Sequence, residues 1–353
     1  MPLATIVPKM QFLSYRLSTI LKSFKALYTL SPSKIEAFLN SYVIYDHDWV
    51  NEKEMIEAFG PNYVEEIQKK LVDYYSVLNH LCSIGQVEKM YIPPAMDLQS
   101  SIIANQKLFE KMLCKDLGLA PGHRVLDIGC GRGRVANHMA SLSGAHLVGM
   151  NIDPDQLENA KKFALSRNLS HRSEFIKGDL NQIPYPFPDG SFDHIYEIQC
   201  IFSLSKDLGK TFKEIYRLLK PGGRFGALEW ASLNQYDPQN AHHQDLMRKI
   251  KPLVGAIGTH SVDNCARLLE EAGFKILKNE NASIDGLQAP LIENADKFFT
   301  RINRLINLCV RYKILPTHFK TLFDRLTQDG DAFIEADRLG LVTSSHYFLV
   351  EKP

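Results

Sequence analysis

Residues 125–133 read Val-Leu-Asp-Ile-Gly-Cys-Gly-Arg-Gly, a short apolar run that ends in three glycines on alternate positions. Glycine lets the backbone turn at positive φ, and with no Cβ it lets a ligand come close. A strand that turns this way into a helical stretch (residues 135–142) restricts the chain to an α/β fold. In such a fold the helix N-terminus is offered to a ligand. The rhythm continues beyond the turn. Residues 146–150, 174–177, 192–198 and 224–230 read as strands, with helical spacing at 154–167 and 208–219 between them. Strands alternating with helices imply parallel pairing in a Rossmann-like doubly wound sheet. The nearest competitor is a dinucleotide fingerprint. It wants Gly or Ala where Arg134 stands, and it has no acid before its first glycine.

Outside this core the pattern is helical. Residues 33–80 read as two or three helices, with Ser31 and Ser33 as caps, and Tyr91-Ile92-Pro93-Pro94 as a linker. A helix follows over 102–117 and ends at Gly118. After Asp237, helices are expected at 241–250 and 261–272, the second capped by Ser261. A strand at 274–277, a helical stretch at 294–328 and a last strand at 346–350 complete the chain. Four successive regions result: a basic amphipathic segment (1–30), a helical region (31–118), a ligand-binding α/β domain (119–235) and a C-terminal α+β cap (236–353).

Composition excludes several functions. The 41 Lys+Arg against 40 Asp+Glu leave a net charge of +1, so no global field recruits nucleic acid. The six cysteines include no CxxC pair, which argues against a zinc site or a disulfide framework. No run approaches the roughly 18 apolar residues of a membrane span. The N-terminus lacks a signal-peptide pattern. The expectation is an intracellular protein.

The glycine turn has companions in order, and together they resemble the motifs of class I S-adenosylmethionine-dependent methyltransferases. They are Gly149-Met150-Asn151-Ile152-Asp153, Gly178-Asp179-Leu180, Pro186-Phe187-Pro188-Asp189-Gly190-Ser191-Phe192-Asp193 and Leu218-Leu219-Lys220-Pro221-Gly222-Gly223. The resemblance implies S-adenosyl-L-methionine as cofactor. It places Asp127, Gly129 and Gly131 around the methionyl part, Asn151 and Ile152 at the ribose, Asp179 and Leu180 at the adenine, and Gln199 nearby. Most of that superfamily carries an acid where Asn151 stands, and Asp153 is the neighbouring alternative.

Within the superfamily the chain is similar to the sterol methyltransferase group. Gly149-Met150-Asn151, Leu228-Glu229-Trp230 followed by Tyr236-Asp237, and residues 338–352 carry the likeness. It implies methyl transfer to carbon of a sterol or related isoprenoid lipid, on ring C-4 or on the side chain. C-24 enzymes have a Tyr-Glu-Tyr-Gly-Trp-Gly segment where this chain reads Cys82-Ser83-Ile84-Gly85-Gln86-Val87. They also have Ile-Glu-Ala-Thr-Cys-His where it reads Ile198-Gln199-Cys200-Ile201-Phe202-Ser203. Nematode sterol 4-methyltransferases share Tyr74-Tyr75-Ser76-Val77 and Ile314-Leu315-Pro316, and are the closer resemblance. Two other readings stay open: a methyltransferase for a different small molecule or lipid, and a catalytically silent cofactor-binding partner protein.

C-methylation requires a proton to leave, and Glu197 and Glu229 stand at the ends of adjacent strands, where open α/β sheets bind ligands. They are the candidate catalytic residues. Tyr75 and Tyr91 are candidate linings of the acceptor pocket. Two stretches, 1–30 and 294–313, alternate apolar residues with Lys and Arg at helical spacing. They suggest peripheral membrane contact, in the cytoplasm or on the endoplasmic reticulum. Homo-oligomerisation stays open.

Overall fold

A computed structural model describes residues 6–48, 51–84 and 88–353, with residues 6–16 described by their backbone alone. The chain forms two compact units, neither continuous in sequence. One comprises residues 45–61, 91–293 and 329–353, and the other residues up to 44, 62–90 and 294–328.

The larger unit is built on a sheet of seven strands among the described residues. They are β1 (Arg124–Ile128), β2 (His146–Asn151), β3 (Ser173–Lys177), β4 (Phe192–Ile198), β5 (Leu219–Ser232), β6 (Lys275–Asn281) and β7 (Val342–Glu351). Their order is β3-β2-β1-β4-β5-β7-β6. The first five pair in parallel, and β7 runs antiparallel to β5 and β6. Val125, Leu126 and Ile128 of β1 are buried, and Ile195 and Tyr196 of β4 are fully buried. Strands covered by helices on both faces need such continuous burial. One apolar cluster includes Leu126, Val148, Ile195 and Phe225, and a second includes Val125, Leu147, Tyr196 and Leu228. Alternate residues of each strand point to opposite faces, so successive positions fill different clusters.

Local chemistry sets the helix ends. Ser101 caps Ile102–Leu117, and Gly118 closes it at φ 67°. Ser261 caps Val262–Glu271 through Asn264 N. The expected C-terminal α+β cap is redistributed. β7 lies between β5 and β6, so these last strands extend the main sheet. Residues 294–328, expected in the same region, group with the N-terminal helices.

The smaller unit is helical, with segments Ile6–Tyr28, Pro32–Ser41 and Tyr63–Ile84. Residues 294–328 contribute most of Ala289–Arg311 and all of Thr317–Thr327. Leu27, Phe38 and Phe319 are fully buried there. Phe24 packs on Phe319 at 5.2 Å, and the Arg325 guanidinium lies 3.8 Å from the centre of the Tyr42 ring. Tyr75 is part of this unit, with its ring edge-on to Tyr74 at 5.0 Å. Of the expected amphipathic segment, residues 1–5 lie outside the described residues. So do residues 85–87 of the stretch that replaces the aromatic motif. Among the described residues no helix is long and apolar enough to cross a membrane.

Candidate active site

The sheet order reverses between β1 and β4, and ligands of open α/β sheets bind beyond the carboxyl ends of the strands at such a point. Asp127 is the penultimate residue of β1 and is only 3% exposed. Its register partner on β4 is Tyr196, whose hydroxyl donates to Asp127 Oδ2 at 2.9 Å. Burial pushes the Asp127 carboxyl up to about 8, against the pull of the Tyr196 hydrogen bond. After β1 the chain turns through Gly129 (φ 76°), Gly131 (φ 53°) and Gly133 (φ 66°). The N–H groups of Gly129 and Cys130 both donate to Met150 O, at 2.9 and 3.1 Å, and lock the turn to β2. A Cβ on Gly129 would stand 2.4 Å from Cys200 Sγ. One on Gly131 would meet only the amide oxygen of Gln156, at 3.2 Å. The helix Arg134–Ser143 begins at Gly133 with no side-chain cap. The backbone N–H groups of an uncapped first turn suit a carboxylate.

Asn151 ends β2, and its amide lies 3.4 Å from Gln156 Oε1. Ile152 is half-buried beside it. Asp153 is committed elsewhere: its Oδ1 accepts from Asp155 N at 2.8 Å and Gln156 N at 3.2 Å, capping the helix Pro154–Ser166. Of the two side chains, Asn151 is the one that caps no helix. After β3, Asp179 Oδ1 takes the N–H of Asn181 at 2.8 Å. Asn181 in turn reaches Leu204 O and Lys206 N, joining this loop to the one after β4. The carbonyl of Leu180 accepts from Tyr185.

The turn after β4 carries the most concentrated polar chemistry. Glu197 and Glu229, on neighbouring strands, are both fully buried. Glu229 Oε1 accepts from Cys200 N at 2.9 Å and Phe202 N at 2.8 Å. Its Oε2 accepts from Trp230 N at 3.0 Å and Ser203 Oγ at 3.4 Å. Glu197 Oε2 accepts from Cys200 N at 3.0 Å and Ile201 N at 3.3 Å, while its Oε1 is buried with no donor among the described residues. Burial pushes both carboxyls up, Glu229 to about 7 and Glu197 further, the latter also by the charge of Glu229. The pair therefore keeps a proton at neutral pH. Three backbone N–H groups favour the anion at Glu229 and only two at Glu197, so the proton falls to Glu197. Sequence placed both residues as bases. The four donors on Glu229 occupy its lone pairs, so its structural task is to hold residues 200–203.

Two further candidates make their hydrogen bonds within the protein. Gln199, expected at the cofactor, is fully engaged by protein: Oε1 accepts from Ile92 N at 2.9 Å, and Nε2 donates to Ile92 O at 2.7 Å and Ser344 O at 2.6 Å. It clasps the linker to β7. Tyr91, expected in the acceptor pocket, is 6% exposed and donates to Glu110 Oε1 at 2.8 Å and Gln106 O at 3.1 Å. It is a core residue of the Phe109–Leu113–Tyr196 cluster. Glu110 also pairs with His138. Neither Glu110 nor Tyr196 stands out in the sequence. Both lie at apolar-type positions of a periodic element, and a buried polar group there is visible only in three dimensions.

Comparison with known proteins fits this geometry. The pattern of a methyltransferase domain matches residues 126–227, which contain the glycine turn, Asn151, Asp179 and the turn after β4. The chain is 30% identical over 294 residues to a sterol 24-C-methyltransferase (ERG6A) of Gibberella zeae, covering 78% of this chain and 73% of that one. The chain belongs to the sterol methyltransferase family. It is also 26% identical over 306 residues to cycloartenol-C-24-methyltransferase of Arabidopsis thaliana, covering 83% of this chain and 88% of the plant protein. In fold, this family member is similar to the [4+2]-cyclase SpnF, with a TM-score of 0.63 and 19% identity over 81% of this chain and 97% of that one. The cyclopropane synthase MmaA2 of Mycobacterium tuberculosis gives a TM-score of 0.61 at 14% identity, over 75% and 90% of the two chains.

As a methyltransferase of this family the chain uses S-adenosylmethionine. The residues present fit that cofactor. The uncapped helix N-terminus suits its carboxylate and the buried acid Asp127 its ammonium. Gly131, at φ 53° and without a Cβ, keeps a side chain out of the turn.

Proposed function

We propose that this chain methylates a carbon of a sterol or related isoprenoid lipid, on ring C-4 or on the side chain. The observation that carries the reading is a division of labour along one sheet edge. β1 to β3 end in Asp127, Asn151 and the Asp179 loop, and β4 and β5 end in a buried carboxyl pair. The relatives that share most of this chain's length are named for methylating sterol C-24. When bound, the cofactor supplies a methyl group already activated by its sulfonium.

In this reading Asp127 takes the methionyl ammonium, Gly129 and Gly131 give backbone room, Asn151 and Ile152 hold the ribose, and Asp179 and Leu180 hold the adenine. Glu229 is a positioning residue that fixes the turn of residues 200–203. Glu197 and Glu229 together place one buried negative charge at the ends of β4 and β5, where positive charge develops on an alkylated carbon. Glu197, with Oε1 outside the hydrogen-bond network, is the member able to exchange a proton.

An apolar acceptor lives in membranes, and the helical unit has faces that suit one. Leu17, Leu21, Leu305, Tyr312 and Ile314 are each 59–68% exposed. Arg301, Arg304, Arg311 and Lys313 are exposed around the last three. Exposed apolar side chains among cations favour an anionic lipid surface. Peripheral attachment, on the endoplasmic reticulum or elsewhere in the cytoplasm, is therefore part of the proposal. Flotation with anionic vesicles checks it: the full chain rises with the lipid, and a chain without residues 1–30 rises less.

The reaction itself is tested by incubating purified protein with methyl-labelled S-adenosylmethionine and a lipid extract. Label in a sterol fraction supports the reading, and fragmentation places the methyl on ring or side chain. Label confined to polar products overturns it.

A further inference from the structure

Beside the end of β5 the larger unit contains a cavity of about 360 Å³, bordered by Ser232, Tyr236, Lys251, Thr259 and Tyr45. Lys251 is unusual there. It is only 6% exposed, and its Nζ donates to His47 O at 2.6 Å and Asp48 Oδ2 at 3.3 Å. Burying an ammonium is costly unless it is paired, and Asp48 pairs it. Across the cavity two cations, Lys251 and Arg248, balance two carboxylates, Asp46 and Asp48. The formal charge is zero, so the site does not select an ion. Its surplus is in hydroxyls: Tyr45, Tyr236, Ser232 and Thr259 all border it. Thr259 Oγ1 and the neighbouring His260 Nε2 are buried without a hydrogen-bond partner among the described residues. Buried polar atoms of this kind call for a partner, which a ligand oxygen can supply.

The cavity wall is tied directly to the candidate active site. Ile257 N and Gly258 N donate to Ser203 O at 3.1 and 2.9 Å, and Ser203 Oγ donates to Glu229 Oε2. Ser232, three residues beyond Glu229 on β5, donates its N–H to His260 O at 3.0 Å. A volume near 360 Å³ lies at the small end for ligand sites and suits one end of a lipid, not a whole four-ring skeleton.

We infer that this cavity receives the uncharged, oxygen-bearing end of the acceptor, a hydroxyl or ketone on a terminal ring, with Thr259 and Lys251 as its hydrogen-bond partners. The inference rests on the lipid reading above and adds to it the polar group that an acceptor must carry.

The test compares a fluorescent sterol with a free 3-hydroxyl and its 3-deoxy counterpart, by titration into full-length protein. Wild type is expected to bind the hydroxysterol about tenfold tighter. That ratio is expected to fall toward one in Thr259→Val, which preserves shape, and in Lys251→Met, with thermal melts confirming folding. Equal affinity for the two sterols in wild type, or a ratio unchanged in Thr259→Val, overturns the inference, as does failure to bind either sterol. Methyl transfer is scored in parallel. Hydroxyl-dependent binding without transfer overturns the proposed reaction and leaves the cavity assignment standing. Transfer with no hydroxyl preference does the reverse.

Discussion

The backbone N–H of Cys200 lies 3.0 Å from Glu197 Oε2 and 2.9 Å from Glu229 Oε1, so one donor joins two buried carboxyls. Their shared proton gives the two residues opposite sensitivities. Glu197→Gln replaces a protonated carboxyl by a neutral amide and is expected to change stability by less than about 1 kcal/mol at pH 7. Glu229→Gln turns an amide toward three backbone N–H donors and a hydroxyl, and is expected to cost about 2–4 kcal/mol. Urea unfolding of both variants measures the difference. The reverse order would place the proton on Glu229.

Asp127 makes cofactor affinity depend on pH. Its folded carboxyl titrates at about 8, well above the unfolded value near 4. Between those limits the folded chain holds a proton that the unfolded chain has lost, so this group lowers stability as pH rises through the window, by up to about 1.4 kcal/mol per unit. A cationic ligand needs the ionised acid. Binding of S-adenosylmethionine below pH 8 is therefore expected to release up to one proton and to tighten toward pH 8. Calorimetry in buffers of different ionisation enthalpy reads that proton. Asp127→Asn is expected to abolish the release and flatten the pH dependence.

The contact between Gly129 and Cys200 predicts a coupled pair. Gly129→Ala forces a Cβ to 2.4 Å from Cys200 Sγ at a φ of 76°, with an expected cost of about 3 kcal/mol and loss of cofactor binding. In a Cys200→Ala background the clash is relieved and the φ strain stays. Gly129→Ala should then cost at least about 1 kcal/mol less. Strict additivity in a double-mutant cycle would mean the turn moves away from Cys200.

Asn151 and Asp153 separate binding from stability. Asp153→Ala removes a helix cap, and its expected effect is about 1 kcal/mol of stability with cofactor affinity nearly intact. Asn151→Ala should leave the melting temperature nearly unchanged and weaken S-adenosylmethionine about tenfold, the loss of one good hydrogen bond. Equilibrium dialysis and thermal melts on both variants distinguish the assignments. Weakening by Asp153→Ala alone would return the ribose to the acid.

Much of the ligand-binding half was legible because its signals are local. The glycine turn of residues 129–133, the caps Ser101 and Ser261, and the end at Gly118 each depend on neighbours within a few residues. The cap at Asp153 came only with the structure: the sequence offered that residue as the alternative to Asn151. The roles of Gln199 and Tyr91 were not legible. A side chain's type tells what it can bond, but its free valences depend on residues far along the chain, such as Ser344 for Gln199.

By itself the sequence determined the alternation of strand and helix and the position of the glycine turn, because backbone conformation and hydrophobic period are properties of short segments, while the cofactor came from the resemblance of the ordered motifs to class I methyltransferases. Only the tertiary structure decided that β7 enters the sheet between β5 and β6, that Tyr196 stands opposite Asp127, and that Glu197 and Glu229 share one donor. Register and burial bring those groups together across 69 residues in one case and 32 in the other. Desolvation then sets which carboxyl keeps its proton, a quantity that no stretch of chain carries alone.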